Sequence, residues 1–143
     1  MNLQGRTMSA STELITKNPY PVTVTAGFDG NNQPYFLYAN AQGQSMRSPL
    51  VIPAAEPPYD GITFRQVGDT SELRLWAAVT RTLDGSSKVP QGDNLLPARE
   101  GAVSITVLQQ TCRGTVLVFE QLDEEGVVTA LVPTPDPTSE NRG

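Results

Sequence analysis

PVTVTAGFDGNNQPYFLYA, residues 21–39, is the stretch that decides the fold class. Apolar and polar side chains alternate over residues 22–28, which is the two-residue period of a β-strand with one buried face. Residues 29–32, Asp-Gly-Asn-Asn, tolerate the positive φ angles of a tight turn. A run over residues 34–39 follows, with large apolar side chains on both faces. The stretch therefore predicts a β-hairpin.

The same alternation recurs along the chain. Residues 62–66 and 73–79 alternate on either side of the turn-forming segment 68–71, which predicts a second hairpin. Further alternating runs are residues 103–107, 115–121 and 127–132, with candidate turns at Arg113-Gly114 and at residues 123–126. No long window has the period of a capped helix. The sequence predicts an all-β protein with little helix, an antiparallel β-sandwich of about seven or eight short strands in meander or Greek-key order.

Two connections, residues 40–61 and 81–100, are longer than hairpin turns. Long loops on a rigid scaffold are where binding sites tend to lie. Within the first connection, residues 50–52 form a short apolar run between prolines, which predicts an edge strand.

The ends of the chain have a different composition from its middle. Residues 1–11 are polar and predict a flexible extension, with Met8 as an alternative start. Residues 12–132 predict one β-sandwich domain, in which residues 13–17 are a candidate first strand. Residues 133–143 are rich in proline and lack apolar side chains, which predicts a disordered, Pro-rich acidic tail.

Composition limits the classes of partner. The chain has 10 Lys and Arg against 15 Asp and Glu, for a net charge of −5, and no cluster of basic residues. This pattern argues against nucleic acid and anionic membranes as partners, and no apolar run reaches the ~20 residues of a membrane helix. The N-terminal residues lack the apolar core of a secretory signal, and the chain has 1 cysteine. These features predict a cytoplasmic protein, with secretion after removal of a signal or by a signal-independent route as the alternative.

The sequence contains few groups suited to catalysis. It has no histidine, which removes imidazole acid–base chemistry and His-ligated metals, and Cys112 alone cannot build a thiolate metal site. It has no glycine-rich phosphate loop. We therefore predict no cofactor and no metal, and the sequence favours a non-enzymatic role. Cys112 is expected to be a structural thiol, with activation by Arg113 as the alternative.

Aromatic and polar side chains in and near the long loops suggest glycan binding as an alternative function, because aromatic rings stack on sugars. The candidate residues are Tyr35, Tyr38, Asn40, Trp76, Asp84, Asp93 and Asn94. Core packing is the competing and favoured explanation for the aromatic residues of the strand at 34–39. For Trp76, burial under a second layer is favoured over an exposed contact role.

Acidic residues suggest two further alternatives. A carboxylate-dependent hydrolase or lyase would use a pair of loop acids with an arginine as electrostatic partner. The candidates are Glu56, Asp60, Asp84, Asp93 and Glu100, with Arg47, Arg81 or Arg99. The acidic segments 29–32 and 123–125 could also supply oxygen ligands to calcium, but hairpin-turn chemistry explains both.

The favoured function is that of a non-enzymatic binding or assembly module. Strands near the C-terminus carry few charges that would discourage pairing between chains. Self-association through edge strands is therefore predicted, with the chain itself or another protein as partner. The candidate residues are Val116, Val118, Val127, Thr129 and Leu131.

Overall fold

A computed structural model of the chain describes residues 16–82, 94–135 and 138–142. These residues form eleven strands and no helix. The strands are β1 (Pro19–Phe28), β2 (Pro34–Asn40), β3 (Ser45–Met46), β4 (Leu50–Ile52), β5 (Gly61–Gln66), β6 (Leu73–Thr82), β7 (Asn94–Pro97), β8 (Ala102–Thr106), β9 (Thr111–Leu122), β10 (Val128–Pro133) and β11 (Thr138–Asn141). Within the described ranges, nothing qualifies as a membrane-spanning helix.

The strands form two sheets that pack face to face. The first sheet has the order β3-β2-β1-β5-β8, and the second has the order β4-β11-β9-β6-β7, with β10 beside the later half of β9. The predicted all-β sandwich is confirmed. The strand count exceeds the prediction because short strands in the long connections and near the C-terminus complete the sheets.

Alternation places the core between the sheets. The inward-facing apolar side chains of both sheets form one buried cluster: Val22, Val24, Ala26, Leu50, Ile52, Ile62, Phe64, Leu73, Leu75, Ala78, Val103, Ile105, Val107, Leu117 and Phe119. Burying one of the larger of these side chains contributes about 1.5–3 kcal/mol. The core therefore holds the two sheets together and leaves their outer faces available for contacts.

Two of the predicted hairpins are confirmed, whereas the hairpin predicted over residues 62–79 is wrong. β1 pairs with β2, and β10 pairs with β9, as the turn residues predict. Residues 62–66 and 73–79 do not form a hairpin, because β5 lies in the first sheet and β6 in the second. Gln66 bridges the crossing, donating from Nε2 to Leu73 O at 2.7 Å and accepting from Leu75 N at 2.8 Å. Both runs have one apolar face. Alternation alone therefore cannot distinguish two strands that pair within one sheet from two strands that lie in opposite sheets.

The predicted turn at Arg113-Gly114 is also wrong, because both residues lie inside β9. Gly114 pairs with Arg81 on one side of the strand and with Thr138 on the other. Arg113 is fully buried, and its guanidinium donates to Thr106 O at 2.7 Å and to the Thr80 hydroxyl at 2.6 Å. These hydrogen bonds allow a charged residue to occupy an inward position of a continuous strand.

Two strand pairs are parallel, a departure from the antiparallel prediction. β1 runs parallel to β5, and β4 runs parallel to β11. Pro19 and Pro21 lie within β1, where only β5 is a neighbour, because pairing with β2 begins at Val22. A proline tolerates such a position because its missing N–H can face the open side. The candidate strand at 13–17 falls mainly outside the described residues, and residues 16 and 17 are not in a strand.

The prediction of a disordered tail is wrong over Thr138–Asn141, which form β11 between β4 and β9. Ser139 and Asn141 point inward and are buried. The tail is polar, so its sequence lacks the apolar alternation that identified the other strands. The predicted edge strand β4 is confirmed, and it is held at the sheet margin by this tail strand.

The hydroxyl groups of Tyr38 and Thr134 allow a matched test of the packing between the sheets. The Tyr38 hydroxyl is buried, and this burial raises its pKa. The nearby Thr134 hydroxyl partly opposes the rise, but the two hydroxyls do not have the geometry of a hydrogen bond. Thr134 Oγ1 instead accepts from Leu117 N at 3.0 Å. Tyr38→Phe should leave the free energy of unfolding unchanged or raise it by up to about 1 kcal/mol, whereas Thr134→Val should lower it by about 1–3 kcal/mol. Urea unfolding followed by circular dichroism measures both, and the reverse order of stabilities would contradict this arrangement.

Candidate functional site

The outer face of the second sheet carries a continuous band of apolar side chains, here called the apolar face. Its members are Trp76, Ala77, Val79, Leu95, Pro97, Val116, Val118, Leu131 and Pro133. The strand register aligns them in cross-strand rows, of which the central two are Leu95–Val79–Val116 and Pro97–Ala77–Val118–Pro133. Side chains in register on one face of a sheet touch one another, so the rows form one surface.

A β-bulge in β6 adds the tryptophan to this surface. The register between β6 and β9 shifts between Leu75 and Ala77, so that Trp76 is the extra residue. Its carbonyl accepts a hydrogen bond from Ala98 N at 2.8 Å. The preference for a buried Trp76 is wrong, since 39% of the residue is exposed. The bulge explains the difference, because it interrupts the strict alternation on which that expectation depends.

Much of the apolar face is exposed although it is hydrophobic; Ala77 is buried within it, and Val116 and Val118 are half-buried. Leu95 is 59% exposed, Leu131 51% and Val79 41%. The solvent-facing side of an antiparallel sheet normally carries polar residues, and an apolar patch with a polar rim marks an interaction site. Here the rim is polar at both ends of β6: Arg74 forms an ion pair with Glu120 at 2.9 Å, and Arg81 lies at the opposite end.

The predicted self-association residues divide between this face and its margin. Val116, Val118 and Leu131 belong to the apolar face, whereas Val127 and Thr129 are exposed beside the β9–β10 turn. Pairing between chains along β9 is excluded, because β6 lies on one side of it and β10 and β11 lie on the other. Val116 and Val118 can therefore contribute only through their side chains. Among the described strands, β10 has a neighbour on one side only.

Val79, Leu95 and Pro97 belong to this surface and are not among the residues that the sequence predicts for self-association. The signal was present in residues 94–97, Asn-Leu-Leu-Pro, where adjacent leucines give a short strand apolar side chains on both faces. Leu96 packs against the core and Leu95 faces outward. A short edge strand that is apolar on both faces indicates a contact beyond the domain core.

The candidate glycan-binding residues that the structure describes do not form one site. Tyr35 and Tyr38 point to opposite faces of β2, and Tyr38 packs against the core. Asn40 is committed to a turn, and Trp76 lies on the other sheet. Asp84 and Asp93 lie outside the described residues, and Asn94 begins β7.

Of the candidate hydrolase acids within the described ranges, Asp60 is hydrogen-bonded to the backbone and lies far from Glu100. The Asp60 carboxylate accepts hydrogen bonds from the backbone of Lys17 at 2.8 Å and Asn18 at 2.9 Å. Asp60 and Glu100 adjoin opposite ends of the β5–β8 pair, about 17 Å apart along the strands, which is beyond the reach of paired carboxylate catalysis. Glu56 lies in the exposed connection before Asp60.

The oxygen-rich segments considered for calcium are hairpin loops with a common hydrogen-bond pattern. These two loops begin at Asp29 and Asp123, and the β2–β3 loop that begins at Asn40 has the same pattern. In each, the side-chain Oδ1 of the first residue accepts from the backbone N–H groups two and four positions later, at 2.8–3.0 Å. The fourth residue has a positive φ in every case. Turn formation therefore occupies one oxygen of each of these side chains.

Cys112 and Arg113 occupy successive positions of β9 and so project to opposite faces of the sheet. The Arg113 guanidinium is directed into the core, away from the half-buried cysteine. The strand geometry therefore does not support activation of the thiol by Arg113.

The most prominent surface of the described chain is thus the apolar face, and its function has to be inferred from its own geometry. No protein-family model matches the sequence, and no curated protein matches it either.

Proposed function

We propose that this protein is a non-enzymatic assembly module that self-associates through the apolar face. The observation that supports the proposal is the alignment of exposed Leu95, Val79 and Trp76 with Val116 and Val118 on one side of one sheet. Burial of apolar surface is the main favourable term in protein association. Two such faces in contact would remove these side chains from water.

The charges at the two ends of the face favour a second copy as the partner. Arg81 is exposed at one end of β6 and has no ion pair among the described residues. At the other end the β9–β10 turn carries Asp123, Glu124 and Glu125. A two-fold axis in the plane of the interface and perpendicular to the strands reverses the strand direction between copies. This operation brings Arg81 of one copy toward the acidic end of the other, so that opposite charges approach each other on both sides of the axis.

The size of the face predicts weak, reversible association. Four strands spaced about 4.8 Å apart and three rows about 7 Å apart give an area of roughly 300–400 Å². A patch of this size is often functional in a monomer, but a stable dimer usually buries about 800 Å² per partner. We therefore expect a dimer with a dissociation constant of roughly 10–100 μM.

The test is a concentration series in analytical ultracentrifugation from about 5 to 500 μM. The weight-average mass of the native chain should rise from 15.4 kDa toward twice that value. Leu95→Lys should keep the protein monomeric over the whole range, because it places a charge at the most exposed leucine of the apolar face, within the interface. Trp76 is the only tryptophan, so its fluorescence emission should shift to shorter wavelength as the native chain associates.

Leu37→Lys is the matched control. Leu37 is 60% exposed on the outer side of the first sheet, against 59% for Leu95, so both variants add the same charge at equally exposed leucines. The Leu37→Lys protein should associate like the native chain. A native chain that stays monomeric at every concentration would overturn the proposal, as would equal loss of association in both variants.

A further inference from the structure

An open groove of about 580 Å³ lies at the edge of the first sheet and borders the apolar face at Pro97. It runs along the outer surface of β8, which is the terminal strand of that sheet, toward the end of β7. Its polar lining consists of Thr63, Arg65, Arg99 and Ser104. These side chains are all hydrogen-bond donors, and none is a carboxylate.

The strand register brings the two arginines to either side of one small residue. Ala102 pairs with Arg65 on β5 and forms an isolated bridge with Arg99 on the other side. Residues in register share a face, and each pair of strands is about 5 Å apart. The two long side chains therefore flank the Ala102 methyl group on one surface. The next pair on the same face is Thr63 and Ser104, whose hydroxyl oxygens are 2.6 Å apart.

A tight turn fixes the position of Arg99. Arg99 and Ala102 exchange both backbone hydrogen bonds, at 2.8 and 3.0 Å, across a two-residue loop. Glu100 and Gly101 have φ values of 53° and 77°, as a type I′ turn requires. A glutamate in this left-handed conformation is unfavourable, so the turn is maintained by its surroundings. The backbone that carries Arg99 is thus positioned before any ligand arrives.

The groove contains two positively charged side chains, and no carboxylate residue lines it. Neither Arg65 nor Arg99 forms an ion pair within the described ranges, where the ion pairs involve other arginines. Arg65 Nη1 donates to the backbone carbonyl of Glu100 at 3.3 Å, which leaves the rest of its guanidinium fork available. Glu100 is not among the residues that line this groove and instead lines the neighbouring one beside Trp76. In a chain of net charge −5, this is a local site for an anion.

We propose that this groove binds the phosphoryl group of a small molecule. Two guanidinium groups present planar arrays of N–H donors that match the oxygens of a phosphate. The Thr63 and Ser104 hydroxyls are hydrogen-bonded to each other, and the pair keeps one O–H that can donate from the adjacent row. The anion lies over Ala102, whose short side chain leaves space between the arginines. Leu96 and Pro97 line the same groove, so the organic part of a phosphate ester can contact them.

The experiment is a titration of ¹⁵N-labelled protein with inorganic phosphate, compared with chloride at equal ionic strength. We expect saturable shifts of the Ala102 and Ser104 amides and of the Arg65 and Arg99 side-chain N–H signals, with a dissociation constant of roughly 1–10 mM. Arg65→Gln and Arg99→Gln should each weaken binding about tenfold. Ala102→Leu should weaken it as much while retaining both arginines, because the larger side chain occupies the space between them.

Arg47→Gln is the control, since it removes the same charge from an exposed arginine outside the groove. It should bind phosphate like the native chain. A parallel titration with phenyl phosphate identifies the source of the group: tighter binding than inorganic phosphate indicates an ester that contacts Leu96 and Pro97, and equal binding indicates free phosphate. Shifts that do not saturate, or that saturate equally in Arg65→Gln and Arg47→Gln, would overturn the proposal.

Discussion

Replacing Gly61 by alanine is expected to lower the free energy of unfolding by about 3 kcal/mol or more. A Cβ atom at this position would lie only 2.1 Å from the backbone oxygen of Ile105 and 2.9 Å from Thr16 Cγ2. Gly61 pairs with Thr106 in the β5–β8 ladder, so the backbone cannot yield without breaking that pairing. Urea unfolding followed by circular dichroism measures the loss.

Gly30→Ala is the matched control for this prediction. Gly30 lies in the β1–β2 hairpin loop, and a Cβ atom there would have no heavy atom within 4 Å. The same added methyl group should therefore change the stability by less than about 0.5 kcal/mol. If the two variants unfold at the same urea concentration, the close approach of β5 to β8 at Gly61 is incorrect.

The parts of the fold that the sequence predicts are those determined by neighbouring residues. The hairpin loops beginning at Asp29 and Asp123 follow from an acidic side chain that bonds to the backbone ahead of it and from a later residue with positive φ. The inward faces follow from alternation, because burial of apolar side chains is the dominant stabilising term. Both signals are local, so both are readable from one sequence.

The pairing of distant strands depends on information that a single sequence does not carry. β5 and β6 have apolar faces and a turn between them, as a hairpin would, yet they lie in different sheets. The sequence does not predict β11, because the buried residues of this strand, Ser139 and Asn141, are polar. The Asn141 side chain is stabilised by hydrogen bonds to the remote carbonyl groups of Tyr59 and Val107. Polar alternation of this kind resembles that of an exposed segment.

The candidate site was predictable only in fragments. Val116, Val118 and Leu131 were identified as candidates for association and Trp76 as a candidate contact, all from their own strands. These residues lie on one face because of the bulge at Trp76 and the register between β6, β7 and β9. A bulge reverses which residues share a face, and its position is set by the partner strand.

Ending the chain after Pro135 is expected to abolish cooperative folding. The deletion removes β11, which lies between β4 and β9 in the second sheet. β4 would lose its described partner, although its Leu50 and Ile52 are fully buried in the core. The loss of a strand with these contacts is comparable to the total stability of a small domain, about 5–15 kcal/mol. Circular dichroism and thermal unfolding should show a protein without a cooperative transition.

A single residue tests the same strand without removing it. The buried Asn141 side chain donates from Nδ2 to Tyr59 O and to Val107 O, both at 2.8 Å, and so joins β11 to the adjacent connections. Asn141→Ala leaves these two carbonyl groups without that donor and should cost about 2–4 kcal/mol. Arg142→Ala should cost less than about 1 kcal/mol, because it removes only an exposed ion pair with Glu140. Because the two substitutions are adjacent in sequence, similar stabilities for both would mean that the C-terminal segment does not occupy the sheet, and the truncated chain would then fold as the native chain does.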